Sequence, residues 1–160
     1  MFENIPVWFW IFFTSMIPWW ESRYAIPMAM IHFGWEWWQA LPLAVLGNLL
    51  PIPFILLFFH IIEKWLRNFK SWMRLMDWLF EKTRKRADKR IRRYEYIGLL
   101  LFVAIPLPFT GAWTGALVAY LFDLDFYKSL LTIFIGVCIA ASIMTFLTLT
   151  GQSLWFSFNR

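Results

Sequence analysis

The sequence predicts an all-α integral membrane protein made of two similar halves, and three observations predict it. Of the 160 residues, 61% are hydrophobic and 22% aromatic, where soluble domains hold about 45–50% apolar residues. The runs 40–62 and 126–149, of 23 and 24 residues, are each long enough to cross a bilayer as a helix. Twelve of the 15 Lys and Arg fall within residues 64–93 and divide the apolar sequence in two. A soluble core of this size could not hide so much apolar surface. The 12 Trp suit a membrane–water interface, where the ring and its N–H are both satisfied.

The elements follow in order. MFENIPVW has no basic n-region and no small-residue cleavage pattern follows it, so the first apolar segment is expected to stay in the mature protein. Residues 5–20 and 24–35 are apolar but only 16 and 12 residues long, too short to span. Between them stands PWWESRYAIP, residues 18–27, with Glu21 and Arg23 bracketed by Pro18 and Pro27. The 40–62 run carries Asn48, Pro51 and Pro53. A polar residue beside backbone carbonyls freed by proline can line a cavity or accompany a simple kink. The 97–122 run is long enough to cross, but IPLPFTG at 105–111 sits inside it. Pro106 and Pro108 withhold N–H groups and disfavour helix at the preceding residues, so two half-helices meeting at a turn are expected.

Each half therefore has a short arm, a Pro-rich break, a second short arm, an acidic connection and a long span. Glu36 marks the connection in one half, Asp123 and Asp125 in the other. Sliding by 88 residues brings Pro18 onto Pro106, with poor identity elsewhere. The predicted organisation is one membrane domain: half one 1–63, a basic amphipathic linker 64–95, and half two 96–160. Each half is read as a re-entrant helical hairpin plus one transmembrane helix. The positive-inside rule then makes residues 64–95 cytoplasmic and puts both termini outside, an inverted repeat of the kind common in transporters. The competing arrangement is four kinked spans with both termini inside. The expected location is the cell (inner or plasma) membrane, multi-pass.

Within the linker, Leu66, Phe69, Trp72, Met73, Met76, Leu79 and Phe80 recur at helical spacing. Lys64, Arg67, Lys70 and Arg74 fall among them and are expected to contact anionic lipid. Nucleic-acid binding is the weaker reading of such a tract in a membrane protein.

Two constellations could carry chemistry. Glu21 and Arg23 are ionisable groups between apolar arms, where charge usually faces a cavity or a partner. Arg23 could bind an anionic group through its planar fork. Glu21 could neutralise Arg23 or take up a proton, since burial favours the neutral carboxyl. The plainer alternative is a pair anchoring a hairpin at the interface. At the second break, Thr110, Gly111, Thr114 and Gly115 bring small residues and hydroxyls to the start of a half-helix, a natural anion site. The alternative there is tight packing of a hairpin tip, with Thr as helix cap. His32 and His60 make no convincing metal site, and Cys138 is the only cysteine. No Ser-His-Asp arrangement, P-loop or dinucleotide fingerprint appears, so neither an enzyme nor a cofactor is expected.

At these two breaks the sequence resembles a known family. ESRYAIP is similar to an E-x-R-x-A-I-P stretch, and PLPFTGAWTGAL to a P-x-P-x-T-G-x-W-x-G stretch. Both occur in the small multidrug export proteins of prokaryotic membranes, distant relatives of the DedA/VTT superfamily. The family favours a small residue after the arginine, where this chain has Tyr24. The resemblance implies paired re-entrant hairpins meeting near the bilayer midplane. It marks Glu21, Arg23 and Pro27 in the first motif, and Pro106, Pro108, Thr110, Gly111, Trp113 and Gly115 in the second.

The expected function is transport of a small anionic or amphipathic substrate between the hairpin tips, with proton coupling through Glu21 and a contribution from Asn48. One alternative is a flippase or scramblase for lipid phosphates such as polyprenyl phosphate. Another, of a different class, is a non-transporting scaffold that binds anionic lipid through the basic segment. Membrane lipids and the substrate are the expected partners, and a homodimer would help so thin a bundle seal a path.

Overall fold

The computed structural model describes residues 6–66, 89–107 and 110–158, with side chains for 6–58, 94–107 and 110–154. These residues form helices and turns, with no strand among them. In chain order the helices are α1 (Val7–Met16), α2 (Glu21–Ile31), α3 (Trp37–Leu49), α4 (Pro51–Leu66), α5 (Lys89–Ala104), α6 (Ala112–Leu121) and α7 (Phe126–Phe158).

The lengths divide as the apolar runs predict. Helices α1, α2 and α6, of 10, 11 and 10 residues, reach only about 15 Å at 1.5 Å per residue. Leu50 is helical (φ −55°, ψ −43°), so α3 leads directly into α4, and Pro51 opens α4 where a missing N–H does least harm. Among the described residues, Trp37–Phe58 and Phe126–Leu154 are the two stretches long and apolar enough to cross a membrane. Many large apolar side chains point outward, including Phe54 and Phe146 at 68% exposed. This all-helical chain is a membrane protein, its outer surface suited to lipid.

Small residues fill the interior. Ala25, Ala29, Ala40, Ala44, Ala112, Ala116, Ala119, Ala140 and Ala141 are all buried, many of them at helical i,i+4 spacing. Such stripes let helices approach closely, which matters where lipid removes the hydrophobic drive for helices to associate. Glycine marks two of the tightest crossings. A Cβ on Gly47 of α3 would strike the Phe12 carbonyl of α1, and a Cβ on Gly136 of α7 would strike Val103 of α5.

In the first half α1 and α2 pack on each other and on α3; in the second, α5 and α6 pack on each other and on α7. The halves are joined crosswise, α2 against α7 and α6 against α4, with α3 against α7 between them. Side chains in the first turn or just before it help close the starts of the long helices. Gln39 Oε1 accepts from the Glu36 N–H at 3.3 Å, and Asp125 Oδ1 accepts from the Lys128 N–H at 3.1 Å.

One local expectation is corrected. Pro27 does not end the first break; it lies inside α2, half-buried. Its missing N–H is the one the Arg23 carbonyl would otherwise receive, so the helix continues with one hydrogen bond fewer. The amphipathic stretch and the contacts expected of Arg67, Lys70 and Arg74 lie outside the described residues, as does Pro108. Lys64 falls on α4, with its side chain outside them too.

Candidate functional site

The first break is a tight turn. After α1, Trp20 and Glu21 donate backbone N–H groups to the Ile17 carbonyl at 3.2 and 3.0 Å, with Pro18 and Trp19 in the loop so closed. Glu21 then starts α2 with φ at +48°, a left-handed conformation that costs a non-glycine residue about 1–3 kcal/mol. The turn directs the carboxylate inward, and Glu21 is only 4% exposed.

The second break is knit by one hydroxyl. Thr110 Oγ1 can donate to the carbonyl of Ile105 at 2.8 Å or of Leu107 at 2.9 Å, and it lies 3.3 Å from the Leu107 N–H. Gly111 precedes α6, and its N–H donates to Thr114 Oγ1 at 2.9 Å. Thr114 thus acts as part of a helix cap.

The two breaks meet. A Cβ on Gly111 would overlap the Glu21 carboxylate, which fills that space instead. The carboxylate lies beside the backbone N–H groups of Ala112 and Trp113, at the start of α6, and beside the Asn48 amide, all of which favour its charge. Those N–H groups have no partner inside their own helix and carry the positive end of its dipole. An unpaired buried carboxylate would be costly; here the nearby Arg23 charge, the helix terminus and the amide reduce that cost in part.

Two ties run across in opposite directions. Arg23, in the first turn of α2, donates through Nη1 to the Leu107 carbonyl and through Nη2 to the Thr110 carbonyl, with Thr110 Oγ1 at 3.2 Å. Trp113, in the first turn of α6, donates Nε1–H to the Met16 carbonyl at the end of α1, at 3.0 Å. Each second arm is thereby fastened to the end of the other half's first arm. Both Nη atoms that the sequence reading reserved for a substrate hold loop carbonyls, while Nε is buried without a hydrogen bond.

Around this junction lies a cavity of about 610 Å³. Pro18, Trp19, Trp20, Glu21, Arg23 and Tyr24 line it from the first break, Pro106, Gly111, Trp113 and Thr114 from the second, and Met144 from α7. Asn48, 1% exposed, stands behind Glu21 with Nδ2 3.4 Å from Ser22 Oγ, and its Oδ1 has no hydrogen-bond partner. A second, almost wholly apolar groove of about 660 Å³ runs along α4 past Leu50, Pro51, Phe54 and Phe58, and Trp113 borders it as well.

Most of the expected site residues therefore gather at one place. Pro27, Asn48, Thr110 and Gly115 do not line the cavity; Gly115 packs against Val103, where a Cβ would not fit. Sequence reasoning missed Trp19, Trp20 and Tyr24 as lining residues, although their place beside Glu21 and Arg23 was a usable signal. It also missed Met144, to which no local signal points. No group of three or more His, Cys, Asp or Glu that could hold a metal occurs among the described residues.

Residues 21–143 match the family described as "Putative small multi-drug export protein", a stretch that begins at Glu21 in the first break, includes the second break and ends within α7. No curated protein and no solved structure matches the chain.

Proposed function

This chain belongs to the small multi-drug export family, and on that premise we propose a transporter whose substrate site is the cavity between the two helix breaks. One observation carries the reading. Breaks nearly 90 residues apart in sequence converge on one drug-sized space, against a buried carboxylate in a chain otherwise suited to lipid.

The substrate is small and amphipathic, with an anionic group. The first-turn N–H groups of α6 receive the anion, Trp20, Tyr24 and Trp113 pack its apolar part, and Arg23 contributes positive charge while holding the second break in place. Glu21 couples movement to a proton: it leaves the site neutral and returns charged.

The architecture suits alternating access. Helices of about 15 Å are too short to cross about 30 Å of hydrocarbon, which supports two re-entrant hairpins beside two crossings. Reciprocal packing, α2 on α7 and α6 on α4, supports an inverted repeat. So does the pairing of Gly47 with Gly136, each at the crossing of a first arm over its long helix. Residues 64–95 are then cytoplasmic and the termini outside, and two copies pair to seal the thin bundle.

The apolar groove favours a second reading, a carrier of lipid phosphate. It adjoins the cavity at Trp113, so a headgroup near Glu21 could leave its tail along α4.

Proteoliposomes loaded with the anionic dye carboxyfluorescein test the main reading. Wild-type protein should release dye at least fivefold faster than protein-free vesicles under a proton gradient, and Glu21→Gln should fall to the protein-free rate. Equal release by wild type and Glu21→Gln would remove Glu21 from the mechanism.

A further inference from the structure

The start of α6 already holds a carboxyl group, and that group belongs to the chain itself. The helix has ten residues, and the Glu21 carboxylate lies against its N-cap, Gly111, beside the first N–H groups. It occupies the volume a Gly111 side chain would fill, so the cradle exists only because residue 111 lacks a Cβ. Asn48, on α3 and 1% exposed, brings its amide donor beside the carboxylate. The Nη groups of Arg23, which could have paired with Glu21, go to loop carbonyls instead. The cavity of about 610 Å³ opens on this seat, and Glu21 is part of its wall.

We propose that Gly111, the first N–H groups of α6 and Asn48 form an oxyanion site for a carboxylate or phosphate, and that Glu21 is its tethered competitor. An external oxyanion enters only as Glu21 leaves, so the empty protein keeps its own site filled. This rests on the transporter reading and adds an exchange step to it. A cation would be the wrong ligand, because it would face the positive end of α6 and Arg23 together. A group attached to the chain competes at an effective concentration of order millimolar, so weak external ligands are masked until the tether's charge is removed.

The site predicts a gain where a structural role predicts only loss. Full-length protein in phosphatidylcholine nanodiscs is titrated with radiolabelled inorganic phosphate. Glu21→Gln, nearly isosteric, should bind phosphate at least tenfold more tightly than wild type. Glu21→Ala, should it fold less well, should have its unfolding midpoint raised by millimolar phosphate that leaves wild type unmoved. Adding Gly111→Ala to Glu21→Gln should abolish the gain. A parallel series with phosphatidic acid in the nanodisc separates the sources: a gain with free phosphate assigns the site to soluble oxyanions, and a gain only with the lipid assigns it to a headgroup. No gain over wild type in either series, or a gain that survives Gly111→Ala, would overturn the proposal and leave Glu21 as a helix cap. Dye efflux keeps the two readings apart. Efflux indifferent to Glu21 beside a true binding gain would defeat the transport role alone, and efflux lost in Glu21→Gln without a binding gain would defeat the tethered competitor alone.

Discussion

Gly111 and Glu21 define each other. A methyl at 111 has no free volume, because the Glu21 carboxylate occupies it. Gly111→Ala should therefore lower stability by about 1–3 kcal/mol, the usual range for overpacking, read as a drop in midpoint on denaturation in detergent. Gly98 is the matched control. It lies within α5 with nothing within 4 Å of a new Cβ, and Gly98→Ala should stabilise by about 0.5–1 kcal/mol. Arg23 gives a second test. Lys keeps the charge but not the planar fork that reaches two carbonyls at once. Arg23→Lys should lose at least one charged hydrogen bond, each worth about 1.5–3 kcal/mol, in the same measurement.

Glycine and one indole set the relations between helices. α1 crosses α3 at Gly47 and α5 crosses α7 at Gly136, where backbone or β-carbon atoms leave no space for a side chain. Gly47→Val and Gly136→Val should each push the crossing apart and lower the unfolding midpoint, by similar amounts if the halves are equivalent. The tie from Trp113 to the Met16 carbonyl links the start of α6 to the end of α1. Trp113→Phe keeps an aromatic ring and loses the donor. It should cost about 0.5–1.5 kcal/mol, and a larger loss would show that the ring's packing matters more than its N–H.

At the scale of the whole molecule, topology decides between arrangements. The proposed arrangement has two crossings, which would put the termini on one face and the basic linker on the other. Single cysteines at residues 3, 85 and 159, in a chain whose only cysteine, Cys138, has been replaced, can be labelled by a membrane-impermeant maleimide in intact cells. Positions 3 and 159 should label from outside, and position 85 only after permeabilisation. Both ends protected in intact cells would replace the hairpins with four full spans.

Much was legible in the sequence because bilayers impose simple rules. Apolar length against membrane thickness marked the two helices long enough to cross, and proline marked the second break and the turn at Pro18. Pro27 shows the limit of such local signals: within α2 the loss of one hydrogen bond was absorbed, and the helix ran on. Glu21, Arg23, Asn48 and the PLPFTGAWTG stretch could be singled out, since polar groups and glycine are conspicuous among apolar neighbours. Their partners could not. A break at this point left room for a direct Glu21–Arg23 pair, yet the carboxylate lies at the start of α6 and the guanidinium reaches Leu107 and Thr110. The sequence by itself determined a helical membrane protein with two breaks and a charge at one of them. Only the tertiary structure decided that the breaks meet, that Met144 joins them, and that Glu21 fills the space left by Gly111. Periodicity and length act along one chain segment, whereas a cavity depends on distances between segments that no local pattern encodes.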